Sequence, residues 1–152
     1  MSKEKNTSKR EHPDRPIPAV GVVVFNGDKV LLIKRNKPPK SFMWSIPGGA
    51  QDLGEKLKDT AAREVKEEAG IQIKNIKLID AVDYIEKNDN DEIKYHYSLI
   101  DYVGEYGDGE LQAADDAIDA KWVDFNALEE YKLWSETIRI IHQARTILKH
   151  TK

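Results

Sequence analysis

Three glutamates, Glu64, Glu67 and Glu68, crowd into the stretch AAREVKEEAGI (residues 61–71), which otherwise reads as a good helix. At about 100° per residue the three carboxylates fall within an arc of roughly 100°. Leu57, Ala61, Ala62, Val65 and Ala69 fall on a separate arc, suited to face a sheet. Glu64 and Glu68 form an i,i+4 like-charge pair, which costs roughly 0.2–0.5 kcal/mol in an isolated helix. Lys66 points away from them, and Arg63, one turn before Glu67, compensates in part. A solvated acidic face is the plain reading of such a cluster. Against it, the charges are segregated by sign and a Gly48-Gly49 loop feeds the helix. Convergent carboxylates are what a hard divalent cation, Mg²⁺ or Mn²⁺, takes as ligands. A phosphate ester bound to such a cation has its charge neutralised as it is attacked. On spacing alone, both readings stay open.

The elements that must position this helix follow from the pattern around it. AVGVVVF and KVLLIKR are β-rich runs separated by NGD, a hairpin signal in which Gly27 supplies a positive φ. SFMWSIPGG reads as a short strand ended by Pro47, Gly48 and Gly49. A helical period then runs from about Gly54 to Ala69, with Gly70 where a C-terminal cap belongs. NIKLIDAVDYIEK and EIKYHYSLIDYVGEY read as strands joined by NDND, a second hairpin. YGDGELQAADDAID reads as an acidic loop, AKWVDF as a last strand and NALEEY as a short helix. A longer helix follows in SETIRIIHQARTILKH, its stripe made by Ile138, Ile141, Ala144, Ile147 and Leu148. This order predicts an α/β (α+β) fold, a mixed sheet covered by helices.

Composition sets the outer bounds. The chain has 152 residues, enough for one domain with its own core. A net charge of −3 gives no electrostatic reason to expect a nucleic-acid duplex as partner. No cysteine is present, which removes disulfides, thiolate catalysis and cysteine-bound zinc and is compatible with a reducing, cytoplasmic location. No run approaches the ~18 apolar residues of a membrane-spanning helix, so no membrane is expected. Residues 1–15 are basic, with no aliphatic residue after Met1, and are expected to form a disordered tail ahead of a single domain over 16–152.

The segment GAQDLGEKLKDTAAREVKEEAGI, residues 49–71, resembles the Nudix box, G-x5-E-x7-R-E-U-x-E-E-x-G-U, where U is a bulky aliphatic residue. Gly49, Glu55, Arg63, Glu64, Val65, Glu67, Glu68, Gly70 and Ile71 fill every fixed position. The upstream VLLIKR and WSIPGG and the downstream DAKWVDF are also similar to the family. The resemblance implies a Nudix-type α/β/α sandwich around a mixed β-sheet. It also implies a Mg²⁺- or Mn²⁺-dependent hydrolase of nucleoside diphosphates linked to another moiety. Glu64, Glu67 and Glu68 match metal-binding glutamates, with Gly49 beside them at a backbone position. Arg63 and Glu55 match a pair that braces loop and helix. Asp52 departs from the pattern, standing where many members carry Glu.

The resemblance also frames the weaker candidates. Glu64 is one candidate base, and AADDAID offers another, with Asp116 ranked above Asp115 and Glu110. Arg35 is a candidate phosphate grip. Trp44 and Tyr84, with Tyr97, are candidates for the base, although packing accounts for each as well. His96 and Trp134 read as structural. The short ADP-ribose pyrophosphatases are the nearest type, which makes ADP-ribose or a related derivative the expected substrate and a nucleoside monophosphate the product. The proline found about fifteen residues past the box in those enzymes is missing from DYIEK (83–87), and Tyr84 comes too early for the dinucleoside-polyphosphate mark. A (d)NTP pyrophosphohydrolase, an enzyme acting on RNA 5′ ends and a non-catalytic ligand sensor stay open as alternatives, as does a homodimer.

Overall fold

A computed structural model describes residues 10–39 and 41–150. Seven strands, two α-helices and a 3₁₀ turn alternate along the chain. The strands are β1 (Ile17–Asn26), β2 (Lys29–Arg35), β3 (Trp44–Ser45), β4 (Gly48–Ala50), β5 (Gln72–Lys87), β6 (Ile93–Asp108) and β7 (Ala117–Asp124). The helices are α1 (Leu57–Ala69) and α2 (Ser135–His150), with the 3₁₀ helix at Phe125–Tyr131. The main sheet path is β3-β2-β1-β6-β5, with β4 added to β1 and β7 to β2. Only the β1–β6 pairing is parallel, so the sheet is mixed.

Alternation along β1 divides the core. Val20, Val22 and Val24 point to one face, where Ala61, Val65 and Ala69 of α1 cover them. Val23 and Phe25 point to the other, under Ile140, Ile141, Ala144 and Leu148 of α2. The result is the expected three-layer α/β/α arrangement. Both hairpins form as the sequence predicts: Gly27 takes φ 61° and Asn26 pairs with Lys29. Asn88 ties its turn through its side-chain oxygen to the Asn90 and Glu92 N–H groups.

Several boundaries differ. SFMWSIPGG is two short strands, and Gly48 and Gly49 do not end a strand but form one, opposite Gly21 and Val20. A Cβ at Gly48 would stand 2.1 Å from the Val20 carbonyl oxygen, so glycine serves close backbone approach here. Helix α1 begins at Leu57, three residues later than expected. Gly54 takes φ 83° and the Glu55 N–H donates to the Asp52 carbonyl, a turn that uses up those residues. Glu68 does not share an exposed acidic face with Glu67. It is 1% exposed, beside the apolar arc of α1. Strand β6 runs to Asp108, shortening the acidic loop to 109–116. The expected disordered tail lies, for residues 1–9, outside the described residues. Further on, the His12 N–H donates to the Lys94 carbonyl.

Candidate active site

Arg63 organises the start of the site. Its Nε donates to Glu55 Oε2 at 2.8 Å and its Nη2 to Glu55 Oε1 at 3.0 Å, a two-pronged pair with fixed geometry. Thr60 Oγ1 and the Asp52 N–H also donate to Glu55 Oε1. The Arg63 bonds foremost, helped by Thr60 and Asp52 against some burial, hold the Glu55 carboxyl down to about 2. Arg63 Nη2 also donates to the Ala50 carbonyl, tying helix α1 to strand β4. The shorter Asp52 still reaches Arg63, at 3.5 Å. Loop and helix are thus braced by the pair the sequence singled out.

The remaining box glutamates surround β4. Arg63 Nη1 lies 2.9 Å from Glu64 and 3.2 Å from Glu67. The Glu64 carboxylate lies against Gly49, where any Cβ would come within 2.4 Å of its Cδ. Glu68 accepts the Gly48 N–H at 2.9 Å inside the protein. Burial, only partly offset by Arg63, pushes Glu64 up to about 7. Burial likewise pushes Glu68 up to about 8, against the Gly48 N–H and Arg35. Further negative charge comes from the 109–116 loop: Asp115 raises Glu64 and Asp116 raises Glu68. That loop is fastened to the end of α1 by the Gln112 and Ala114 N–H groups, which donate to the carbonyls of Ala69 and Glu68.

Oxygen donors of this type and charge suit a hard divalent cation. Buried, mutually repelling carboxylates are also what such a charge would relieve. Among the described residues, however, no three acidic or histidine side chains stand close enough together to enclose an ion. Glu64 and Glu67 are turned to Arg63, and Glu68 to Gly48. The donor chemistry fits, and the ligand set is not closed.

Gly48 and Gly49 also line a cavity of about 410 Å³ on the α2 face of the sheet. Its floor is Gly21 of β1, Leu99 and Asp101 of β6, and Val82 of β5, with Trp134, Thr137 and Ile140 above. Arg35, Trp44, Tyr84 and Asp116, all singled out in the sequence, line it together with Tyr97. Trp44 packs edge-on against Tyr131 at 5.3 Å, so packing and lining are both its work. Tyr84 meets Trp134 edge-on at 5.4 Å and donates its hydroxyl to Glu86, and burial raises its pKa. Asp116 pairs with Lys37 at 2.9 Å. Neither Asp115 nor Glu110 is among the lining residues. Glu110 sits by the α1 cap, its carbonyl 3.2 Å from where a Cβ at Gly70 would stand. His96 is not a lining residue either, since Tyr97 is the one that faces the cavity.

Sequence reasoning missed three of these residues. Trp134 was expected only to pack, yet it walls the cavity. Lys37 gave no signal. Asp101 did: SLIDYV places a carboxylate in the middle of an apolar strand, and AVGVVVF places a glycine in the strand that pairs with it.

Comparison with known proteins agrees with this geometry. The NUDIX domain family matches residues 15–144. The chain is 31% identical over 123 residues to the ADP-ribose pyrophosphatase of Methanocaldococcus jannaschii, covering 81% of this chain and 70% of that one. It is 28% identical to the NAD-capped RNA hydrolase NudC of Vibrio atlanticus, but spans only 41% of that protein's length. Among solved structures, a MutT NUDIX hydrolase from Burkholderia pseudomallei superposes with a TM-score of 0.74 at 26% identity, covering 86% of this chain and 98% of that one. The NUDIX domain of Shewanella oneidensis NrtR, complexed with ADP ribose, shares the fold with a TM-score of 0.73 at 23% identity, covering 89% and 90%. With Gly49 to Ile71 filling each fixed position and the fold matching on both sides of it, the chain belongs to the Nudix hydrolase family.

Proposed function

We propose that the protein is a divalent-metal-dependent hydrolase that cleaves the pyrophosphate linkage of a nucleoside diphosphate derivative, ADP-ribose or a close analogue, releasing a nucleoside monophosphate. One observation carries this reading: a single strand, Gly48–Ala50, has an aromatic cavity on one side and the half-buried Glu64 and buried Glu68 carboxylates on the other. A substrate with its base in the cavity would bring its pyrophosphate to that strand. The 31% identity to a protein named ADP-ribose pyrophosphatase supports the choice of substrate.

Glu64, Glu67 and Glu68, with the Gly49 backbone, would hold the cation, Mg²⁺ or Mn²⁺. When bound, it neutralises phosphate charge and eases deprotonation of water. Arg35 and Lys37, at the cavity mouth, would grip phosphate oxygens. Trp44 and Tyr84 would flank the base. Glu64, beside the cation it would help to hold, is the first candidate to take a proton from the attacking water, and Asp116 is the second. Arg63 and Glu55 would position these groups without touching substrate. The interior is otherwise suited to a small molecule, and no helix among the described residues is long and apolar enough to cross a membrane.

The test is a panel of ADP-ribose, nucleotide sugars, dinucleotides and (d)NTPs with Mg²⁺ or Mn²⁺, products resolved by chromatography. AMP and ribose 5-phosphate from ADP-ribose are expected, abolished by excess EDTA. Pyrophosphate from a triphosphate with ADP-ribose untouched would overturn the substrate. Nucleotide binding with no monophosphate from any substrate would indicate a sensor instead.

A further inference from the structure

Asp101 is a carboxylate in an apolar place. It lies mid-strand in β6 between Ile100 and Tyr102, is 4% exposed, and lines the cavity floor. Burying such a group disfavours folding unless something else uses it. Its surroundings have been cleared for it: Gly21 sits directly opposite in the parallel β1–β6 register, and a Cβ there would stand 2.2 Å from Asp101 Oδ1. The Gly21 N–H favours its ionised form, though less than Arg139 does. Oδ1 lies over Gly21, and the side chain lines the cavity. Arg139, whose charge favours its ionised form, is itself engaged with Glu136 at 2.9 Å and with Asp80 at 3.3 Å. Burial, with Asp80 and Glu136 adding to it, pushes the carboxyl up to about 7.

Position completes the argument. Gly21 pairs with Asp101 on one side and with Gly48 on the other. Two strand spacings therefore separate the Asp101 backbone from the Gly48 N–H that holds Glu68, on the order of 10 Å. That is about the reach of a nucleotide from base edge to phosphates. Tyr97 lies four residues before Asp101 on β6, about 13 Å along the strand, and with Tyr84 and Trp134 supplies ring faces and edges to the same cavity.

From this juxtaposition we infer that Asp101 is a specificity-determining residue that accepts a hydrogen bond from the exocyclic amine of the bound base, so that the cavity selects adenine over its keto counterpart. Ionised, the Asp101 carboxylate accepts from the amine of AMP, whereas the keto oxygen of IMP would face it lone pair to lone pair. This rests on the cavity being the nucleotide site proposed above, but it is tested by product binding and not by turnover.

The experiment measures, above pH 8 where Asp101 is mostly ionised, AMP and IMP binding, with ribose 5-phosphate as a ligand lacking a base, to wild type, Asp101→Asn and Asp101→Leu, each checked for folding by circular dichroism. Wild type should bind AMP about 10- to 100-fold more tightly than IMP, the worth of one buried hydrogen bond to a charged or strongly polar group. Asp101→Leu should reduce the ratio to about one without altering ribose 5-phosphate binding. Asp101→Asn supplies an –NH₂ that can donate to the keto oxygen, so the preference should shift towards IMP. Equal binding of AMP and IMP to wild type, binding of neither, or an AMP preference that survives in the variants would each overturn the inference. Discrimination without hydrolysis of ADP-ribose would sink the proposed reaction and leave this assignment standing. Hydrolysis without discrimination would do the reverse.

Discussion

At the Arg63 brace, Glu55 receives donors from Arg63, Thr60 and Asp52, and its carboxyl is held down to about 2. Around the cavity and β4, half-buried Glu64 and buried Glu68 and Asp101 have fewer donors, and their carboxyls rise to about 7, 8 and 7. The same chemical group is treated oppositely within one small domain. A carboxylate with a lowered pKa adds stability when ionised, and one with a raised pKa subtracts it. The brace therefore holds the fold, while the second group is kept at the fold's expense, as expected of groups that act on a ligand.

The contrast is broken most directly at the brace. Arg63→Ala would leave Glu55 and Glu64 without their cation. Removing one partner of a partly buried pair costs about 3–5 kcal/mol, so a large drop in melting temperature is expected by calorimetry. An unchanged melting temperature would mean the brace is ornamental. Glu55→Gln should lose less, about 1–3 kcal/mol, since neutral hydrogen bonds can persist. Its sign with pH is also set. Glu55 has a folded value below its ordinary 4.5, so its contribution is complete above that value and is lost as pH falls towards about 2. Denaturant titrations at descending pH should show wild type and Glu55→Gln converging.

Asp101 should behave in the opposite sense. Its folded value lies above its ordinary 3.8, so its favourable contribution is complete below pH 3.8 and is lost as pH rises through about 7. Asp101→Asn carries no such titration. Wild type should therefore weaken relative to Asp101→Asn between pH 4 and 7, by about 2–4 kcal/mol from a shift of this size. Parallel stability curves for the two proteins across that window would contradict the burial account. The smallest effect is expected at Glu67, which is exposed and, among the described residues, pairs with Arg63 alone. Glu67→Gln should leave metal-free stability within about 0.5 kcal/mol, although it is expected to abolish most turnover.

Much of this was legible in the sequence, and for local reasons. The β1–β2 hairpin follows from Gly27, and the α1 cap from Gly70, because each needs a positive φ that neighbours cannot supply. The brace was legible because Glu55 and Arg63 stand at their signature spacing, although Glu55 lies in the turn ahead of α1 and not on the helix. What stayed hidden depends on distant pairing. Gly21 and Asp101 meet only through the parallel β1–β6 register, which no local period encodes. Gly48 and Gly49 looked like a strand's end because glycines usually punctuate. Only their pairing with β1 makes them a strand. Trp134 looked like packing because the start of a helix does not announce which side of it holds a cavity.

Glu68 offers the most direct test of the whole account, since burial and proposed chemistry meet there in one side chain. Glu68→Gln keeps an oxygen for the Gly48 N–H and removes a charge that burial disfavours. Metal-free melting temperature and Mg²⁺-dependent ADP-ribose turnover should be measured on the same preparation at pH 8 or above, where wild-type Glu68 is substantially ionised. The account predicts that the melting temperature holds or rises while turnover falls by at least about 100-fold, the scale of losing a group that acts in the reaction. A lower melting temperature with turnover retained would contradict it, and would make Glu68 a structural residue.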